Sequence, residues 1–382
     1  MKTKVLFIIP DFAHGGTNKT LESYLSLIDS AKYDVFIFCY TNARRHGYYY
    51  QIFAPYLVPA FWWNSILKVN SFTRKLYRLL LKLAPSLVEK CDRHEVKCLQ
   101  NKYSFDVIIG FQEGETTKYA SYFKANCKVA WVHSFFSDLA VKEGQMEYQS
   151  IYESFDKIVC VSDGVQTYFN QRLQGLKSRS LRIYNPLDAE KIKNKAKELI
   201  EDKRYLVDTF KLLSVGRLDD VKNFHLIPQI IYELKQKGIS SFKWYLMGAS
   251  FNEAYKQLLL KKIEEYHVEN ELVLLGQKDN PYPYILRADL MVCPSKSEGY
   301  PYVLNESKVL HTPIVANSFK SAYEVVDDNC GFVVGLDQMP NLLQELITDK
   351  NHVYENIKEK IAHYQYDNMA IIEQLYSLFA HL

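Results

Sequence analysis

The sequence predicts an α/β fold of two Rossmann-like domains, each a parallel sheet flanked by helices. Three observations carry that expectation. Residues 5–10 form a short, fully apolar run, the pattern of a parallel strand covered on both faces; a half-exposed strand would alternate. A Gly-bearing loop and an amphipathic stretch follow at residues 13–28, the strand–loop–helix order of a βα unit. The same alternation closes at Asn185-Pro186, a turn signal, and restarts at residue 210 with a Gly loop of its own. Domains are therefore expected at 1–187 and 188–365, with their Gly loops facing one another across a central cleft, and a closing helical segment at 366–382. A chain of 382 residues has room for both.

The composition, 48% hydrophobic and 24% charged, is that of a soluble globular protein. The net charge of +3 is unevenly spread: residues 1–185 hold 24 Lys and Arg against 16 Asp and Glu, and the remainder hold 23 against 28. A basic first half suits nucleic acid, a membrane surface or an acidic acceptor. No nucleic-acid-binding motif is present, so nucleic acid is not expected as a partner. Seven scattered cysteines, without a Cys-x-x-Cys or any metal-ligand spacing with His, point to reduced thiols and a cytoplasmic protein. Residues 1–11 imitate a signal peptide, but the apolar run is short, meets Asp11 at once and lacks a small-residue cleavage site. It reads as the first strand. No run of about 18 apolar residues occurs, so no membrane span is expected.

In the first half, further strands are expected at residues 33–40, 105–111, 128–132, 157–162 and 181–186. Asp163 is expected to cap a helix reaching Phe169. His133 stands directly past the fourth strand, at the carboxyl end, where open α/β sheets bind ligands. Residues 61–84 differ from their surroundings. Phe61-Trp62-Trp63 precede a helix-like segment in which Phe72, Leu76, Leu79, Leu80 and Leu83 share one face. Arg74, Arg78 and Lys82 stripe another face, joined by Lys68 and Lys75. Two readings stay open: a surface helix packed on its own domain, or one docked on anionic lipid with its aromatic rings at headgroup level. The basic first half favours the second.

The second half repeats the pattern, with strands expected at 210–215, 244–248, 272–275, 289–293, 312–316 and 330–334 and helix from about residue 340. The first of these runs into Gly216-Arg217-Leu218-Asp219-Asp220-Val221-Lys222-Asn223. A Gly opening followed by two cations five residues apart, ahead of a helix, fits a clamp for a diphosphate. The fourth leads to Ser297-Glu298-Gly299-Tyr300-Pro301-Tyr302-Val303-Leu304-Asn305-Glu306. Gly299 bends freely, Pro301 fixes its own φ, and a helix is expected from Val303. A helix start offers backbone N–H groups and the positive end of a dipole, again suited to a diphosphate. Glu298 in the loop and Glu306 one turn into the helix would accept hydrogen bonds from hydroxyls around that anion.

Two Glu with seven residues between them, set in Ser-Glu-Gly-aromatic-Pro, resemble the donor-sugar motif of the retaining glycosyltransferases of family 4, which have the GT-B fold. Gly216-Arg217 with Lys222-Asn223 resembles that family's Gly-Arg and Lys-Asn motif, and Ile183-Tyr184-Asn185 a related sequence at its domain crossover. The resemblance covers nearly the whole chain and is dense from Gly216 to Glu324. It implies that the last helix crosses back to the first domain. It further implies that Glu298 contacts the donor sugar and Glu306 the ribose, and that the stretch from Gly299 through Tyr300, Pro301 and Tyr302 to Val303 offers backbone N–H groups to sugar and phosphate. By the same resemblance Gly15-Gly16 lets backbone approach the donor phosphate, and a His at about the place of His133 lies near donor and acceptor. Gly248 and the loop Gly276-Gln277-Lys278 also lie on the donor side, the latter holding the base. Two departures bear on the donor pocket: His311 stands where the family often has Gly, and Lys320-Ser321 replaces a loop that often contains one. Residues 277–284, rich in Pro and Tyr, loosely resemble bacterial capsule and exopolysaccharide enzymes.

The reaction so implied moves a hexose or N-acetylhexosamine from a nucleotide diphosphate sugar, UDP above others, to a glycan or lipid-linked glycan acceptor. Arg217, Lys222, Glu298 and His133 would carry it. No Asp-x-Asp is present, which fits a site using neither metal nor cofactor, where two cations and a helix dipole stabilise the departing diphosphate. No nucleophilic carboxylate can be named, so a front-face route is preferred to double displacement. Two other classes remain: a nucleotide-sugar epimerase or hydrolase on the same fold, and a non-catalytic partner subunit. The expected location is the cytoplasm, at the inner face of the cell membrane if residues 61–84 dock on lipid.

Overall fold

The computed structural model describes residues 1–13, 15–40, 47–59, 75, 79, 80, 83–135, 148–250, 252–349 and 351–379. The chain forms two compact units, Met1–Pro186 joined by Asn368–Leu382, and Leu187–Asp367. Each contains one sheet of six strands, and every pairing is parallel.

In the first unit β1 (Thr3–Ile9), β2 (Tyr33–Cys39), β3 (Val107–Gly110), β4 (Cys127–Val132), β5 (Lys157–Cys160) and β6 (Ser180–Arg182) lie in the order β2-β1-β3-β4-β5-β6. Val5 pairs with Val35 on one side and Val107 on the other. Strand order therefore reverses between β1 and β3, and the loops leaving their carboxyl ends diverge there. Those loops run through Gly15 and through Glu113. The helix Met369–Phe379 belongs to this unit: the Tyr376 hydroxyl accepts from the Asp29 N–H at 2.8 Å, the Tyr376 ring stacks on Tyr33 at 5.1 Å, and Cys127 Sγ donates to the Leu378 carbonyl at 3.6 Å.

In the second unit β7 (Phe210–Val215), β8 (Phe242–Met247), β9 (Leu272–Gly276), β10 (Leu290–Cys293), β11 (Ile314–Asn317) and β12 (Gly331–Val334) lie in the order β12-β11-β10-β7-β8-β9. This is the doubly wound order of a dinucleotide-binding sheet, with the reversal between β7 and β10. Neighbours on a strand feed opposite layers. Leu213, Tyr245 and Met291 enter one apolar cluster, and Leu212, Trp244 and Val292 the other, so both faces of the sheet are buried as its apolar runs require.

Each of the twelve runs read as a strand overlaps one, β6 by Leu181 and Arg182 alone. Helices diverge more. The cap of helix Asp163–Arg172 is Ser162, whose Oγ accepts from the Val165 N–H at 3.1 Å; Asp163 is the first helical residue and pairs with Arg182 at 3.1 Å instead. The helix after Glu298 begins at Tyr302, one residue before the expected start. Helix Pro85–Lys102 has no counterpart in the sequence reading. Its inward face carries Asp92 and Glu95, both nearly fully buried and accepting from the Tyr40 and Tyr119 hydroxyls, so its apolar stripe is broken by carboxylates.

Phe61, Trp62, Trp63, Lys68, Phe72, Arg74, Leu76, Arg78 and Lys82 lie outside the described residues, as does His14. Of the segment's described residues, Lys75 is exposed, and Leu79 and Leu83 are 50% and 74% exposed. Leu80 beside them is half-buried. Among the described residues no helix is long and apolar enough to cross a membrane.

One close approach fixes the β7–β8 edge. Gly248 has φ +154°, and a Cβ there would lie 1.7 Å from the Gly216 carbonyl oxygen. Gly238 also has positive φ, +78°, but open space around it. Gly238→Ala should cost about 1–2 kcal/mol, the left-handed penalty alone. Gly248→Ala should cost clearly more, about 3 kcal/mol or above, because the strand ends must part. Urea unfolding of the two variants checks the ranking.

Candidate functional site

The densest group of residues singled out from the sequence sits at the β7/β10 reversal. The loop leaving β7 starts at Gly216, whose N–H donates to the Met247 carbonyl at 3.0 Å. A side chain on Gly216 would meet Lys222 Cε at 3.1 Å, so bare backbone is what lets the lysine stem lie across it. Asn223, in the left-handed region at φ 56°, turns the chain after Lys222, and its Nδ2 donates to the Pro294 carbonyl at 3.0 Å. The Lys296 N–H donates to the Val221 carbonyl at 2.8 Å. These two ties clamp the loop from β7 against the loop from β10.

Between the clamped loops Lys222 Nζ lies 2.5 Å from Glu298 Oε1, with the side chains only 16% and 15% exposed. Ser295 Oγ donates to the same carboxylate oxygen at 2.7 Å. Ser321 Oγ donates to the Glu298 carbonyl at 2.6 Å, and Asn317 Nδ2 to the Ser295 carbonyl at 2.8 Å. Burial by itself would lower the pKa of Lys222. The charges around it, Glu298 foremost with Cys293 and Asp219, together outweigh burial and hold the ammonium above the ordinary lysine value. Among the described residues Lys222 donates to Glu298 alone, so two of its three N–H donors remain for a ligand.

Helix Tyr302–Val309 starts at the same end of the sheet, at Gly299-Tyr300-Pro301. No side chain caps it, and its positive dipole end is left for an anion. Val303 lies in its first turn. Glu306, one turn in, is 3% exposed, and its Oε1 accepts from the Tyr282 hydroxyl at 3.4 Å. Arg217 is not joined to the Lys222–Glu298 pair by any contact among the described residues; its guanidinium is 68% exposed and pairs with Asp219 at 3.3 Å. Lys278 is engaged by Asp202 at 3.5 Å and lies over the Tyr284 ring. Arg204 holds that Asp202 carboxyl down at about 2 by hydrogen bonding. His311 has φ 58°, and its Nε2 lies 3.2 Å from the Tyr364 carbonyl. A left-handed backbone here accounts for glycine being common at this place in the resembled family.

In the first unit, Gly15 is extended and precedes helix Gly16–Leu27, which has no side-chain cap; both glycines are exposed. His133 follows β4. Its ring packs edge-on against Phe111 at 5.0 Å, and its buried Nε2 has no partner among the described residues. Burial lowers the imidazole to about 3, a hydrogen bond to the Phe111 backbone opposing it weakly, so the ring is neutral at pH 7.

Sequence reasoning missed Ser295, Asn317 and Glu113. Ser321 was visible only as a departure, and it turns out to anchor Glu298. Glu113 left a signal, a carboxylate three residues past a strand end and just before a glycine with φ +90°. For a metal, the described residues offer one group, Asp349, His352 and Glu355. It is a helix cap: Asp349 Oδ1 accepts from the Tyr354 N–H at 2.8 Å, and His352 Nδ1 lies 2.8 Å from Glu355.

Residues 185–364, nearly the whole second unit, match the family described as Glycosyl transferases group 1. The whole chain has the GT-B glycosyltransferase fold. It is similar to Anabaena Alr3699/HepE, solved in complex with UDP-glucose, with a TM-score of 0.75 at 18% identity over 99% of this chain and 100% of that one. It is 34% identical over 168 residues, 44% of this chain, to the N-acetylgalactosamine-N,N'-diacetylbacillosaminyl-diphospho-undecaprenol 4-alpha-N-acetylgalactosaminyltransferase of Campylobacter jejuni. It is 22% identical over 69% of its length to an uncharacterized glycosyltransferase, MJ1059, of Methanocaldococcus jannaschii. These matches span 43% and 62% of the two relatives' own lengths.

Lys222→Met would leave a mostly buried carboxylate without its cation and should cost about 3–5 kcal/mol in urea unfolding, with Lys222→Met/Glu298→Gln recovering a good part of it. The folded-state pKa of Lys222 is raised above its unfolded value. The pair's stability is therefore fully present below the unfolded value of about 10.4 and fades as pH rises through the folded one. Thermal melts against pH should show this alkaline loss in the wild type and not in Glu298→Gln.

Proposed function

We propose that this chain is a retaining glycosyltransferase that moves a hexose or N-acetylhexosamine from a UDP-sugar to a glycan or lipid-linked glycan. The observation that carries the reading is the Lys222–Glu298 pair, clamped beside an uncapped helix start at the reversal of the second sheet. The match of residues 185–364 to the group 1 family supports it. So does the lipid-linked acceptor in the Campylobacter protein's name.

In this scheme the diphosphate sits against the start of helix Tyr302–Val309, between Lys222 and Arg217. As the bond from anomeric carbon to phosphate oxygen lengthens, negative charge grows on that oxygen. The two cations and the helix dipole meet it without reorganising a solvent shell. Lys222 is protonated throughout the physiological range, because Glu298 holds its pKa up. Arg217, lying at the surface, closes on the donor and exchanges its pairing with Asp219 for the phosphate. Glu298 accepts a hydroxyl of the sugar. The acceptor hydroxyl adds to the same face of the carbon, and its proton passes to the departing phosphate oxygen, so no enzyme nucleophile and no metal enters the balance. The acceptor's lipid would bring the chain to an inner membrane face, where exposed Leu79 and Leu83 in the basic segment 61–84 dock on anionic lipid. Capsule or exopolysaccharide assembly is the setting we favour.

A UDP-sugar at 100 times its Kd should stabilise the folded chain by about 2.7 kcal/mol, read as a rise in Tm. Lys222→Ala and Arg217→Ala should each lower kcat about 10²–10³-fold, the range for loss of one preorganised charge-stabilising group. If no sugar nucleotide raises the Tm, and radiolabelled sugar is never transferred to lipid-linked acceptors, the proposal fails.

A further inference from the structure

The first sheet has its own reversal, between β1 and β3, and a carboxylate stands there that the scheme above does not use. Glu113 leaves the end of β3 and reaches across to the end of neighbouring β4. Its Oε2 accepts from the His133 N–H at 2.8 Å, and its Oε1 accepts from the Ser134 hydroxyl. The His133 ring is held from the other side by Phe111, which packs in turn on Trp131 at 5.2 Å. Tyr24 closes on Trp131 at 5.5 Å, so the wall behind the ring is rigid aromatic core. His133 is therefore fixed at two points, backbone by Glu113 and ring by Phe111. What it presents is a buried Nε2 without a partner among the described residues. A buried polar atom left unpaired is unfavourable unless a ligand supplies the bond. Neutral imidazole nitrogen lacking hydrogen is an acceptor, and a sugar hydroxyl is its complement.

We infer that Glu113 is a positioning residue for glycosyl transfer, holding the His133–Ser134 turn so that the imidazole meets a hydroxyl of the acceptor. This rests on the reading given under Proposed function. A carboxylate is an unusual way to hold a turn, because burying it is unfavourable. It gains two acceptor oxygens set to bond two successive residues at once, which a shorter or neutral small side chain does not offer. Burial raises the Glu113 pKa, and the bonds from Ser134 and His133 oppose the rise. The other titratable groups facing it are Tyr152 and Cys160, both raised by burial and then by Glu113 itself.

The test reads His133 directly. Its imidazole signal is assigned in NMR spectra by comparison with His133→Gln, then titrated in the wild type, Glu113→Gln and Glu113→Ala, with kcat and donor KM measured alongside. In the wild type the signal should stay that of a neutral ring down to about pH 5. Glu113→Gln should behave alike and keep kcat within about threefold, because its amide oxygen accepts from the His133 N–H while its NH2 donates to Ser134 Oγ. Glu113→Ala should release the turn and let water reach the ring. His133 should then titrate toward its ordinary value of about 6.5, kcat should fall at least about tenfold with a new acid limb, and donor KM should hold. If Glu113→Ala does not fold, Glu113→Asp keeps the charge but shortens the reach by one methylene, and the same shift is expected. A folded Glu113→Ala or Glu113→Asp with wild-type titration and kcat overturns the inference. A wild type that transfers no sugar overturns the functional reading instead, and the imidazole titration still decides whether Glu113 sets His133.

Discussion

The second unit depends on one ion pair being kept at the point where strand order reverses. A reversal opens a crevice because loops from adjacent strands run in opposite directions. Left alone, the loops from β7 and β10 would spread. Here Asn223 and Lys296 bond across the gap, and Lys222 and Glu298 meet inside it. Two mostly buried opposite charges at 2.5 Å are worth little as a stabilising device, since desolvation offsets most of their attraction. They do hold a charge in place before any ligand arrives. That is the requirement for electrostatic catalysis, in which the surroundings of a developing charge must not have to turn to meet it.

Support for that pair explains oddities in the surrounding sequence. Ser321 departs from the resembled family's glycine-containing loop, and its hydroxyl binds the Glu298 carbonyl. Ser295 adds a second bond to the carboxylate that Lys222 already holds. With two donors on one oxygen, Glu298 cannot swing without breaking both. Arg217 is the counterpart, exposed and, among the described residues, paired with a neighbour two residues away. A buried lysine and an exposed arginine suit different stages of the proposed reaction: the lysine can orient an incoming diphosphate, and the arginine can close once it is seated.

The fold was largely legible because its signal is local. A strand buried on both faces is an apolar run of four to seven residues, and that signal carried most of the twelve; β6, three half-buried residues with Ser and Arg at its ends, lacks it. The helices were harder. Pro85–Lys102 hides its period because Asp92 and Glu95 point inward, a choice made by Tyr40 and Tyr119 from distant parts of the chain. The Asp163 cap failed for a smaller reason: Ser162 stands one residue earlier and its short side chain folds back on the Val165 N–H. The Gly216–Lys222 and Glu298–Glu306 motifs were legible because the group that binds an anion and the backbone that presents it are contiguous. Their pairing, and the burial of Glu306 against Tyr282, depend on how two loops 76 residues apart meet, which no local pattern encodes.

The two reversals also differ in the electrostatics they build, and the difference follows from what lies next to each carboxylate. Glu298 has a lysine beside it, so the second unit's crevice keeps a fixed cation facing any anion that enters. Among the described residues Glu113 has N–H and O–H donors from His133 and Ser134, with Tyr152 and Cys160 as titratable neighbours. Among the described residues no cation offsets its burial, which raises its pKa, while burial lowers that of the adjacent imidazole. A neutral imidazole held by such a turn has little to offer a diphosphate and much to offer a hydroxyl. In the proposed reaction, the leaving charge would be handled by the second unit, where Glu298 also takes a sugar hydroxyl, and the acceptor hydroxyl by the first. That division follows from where each sheet's reversal places a carboxylate and from whether a cation folds beside it.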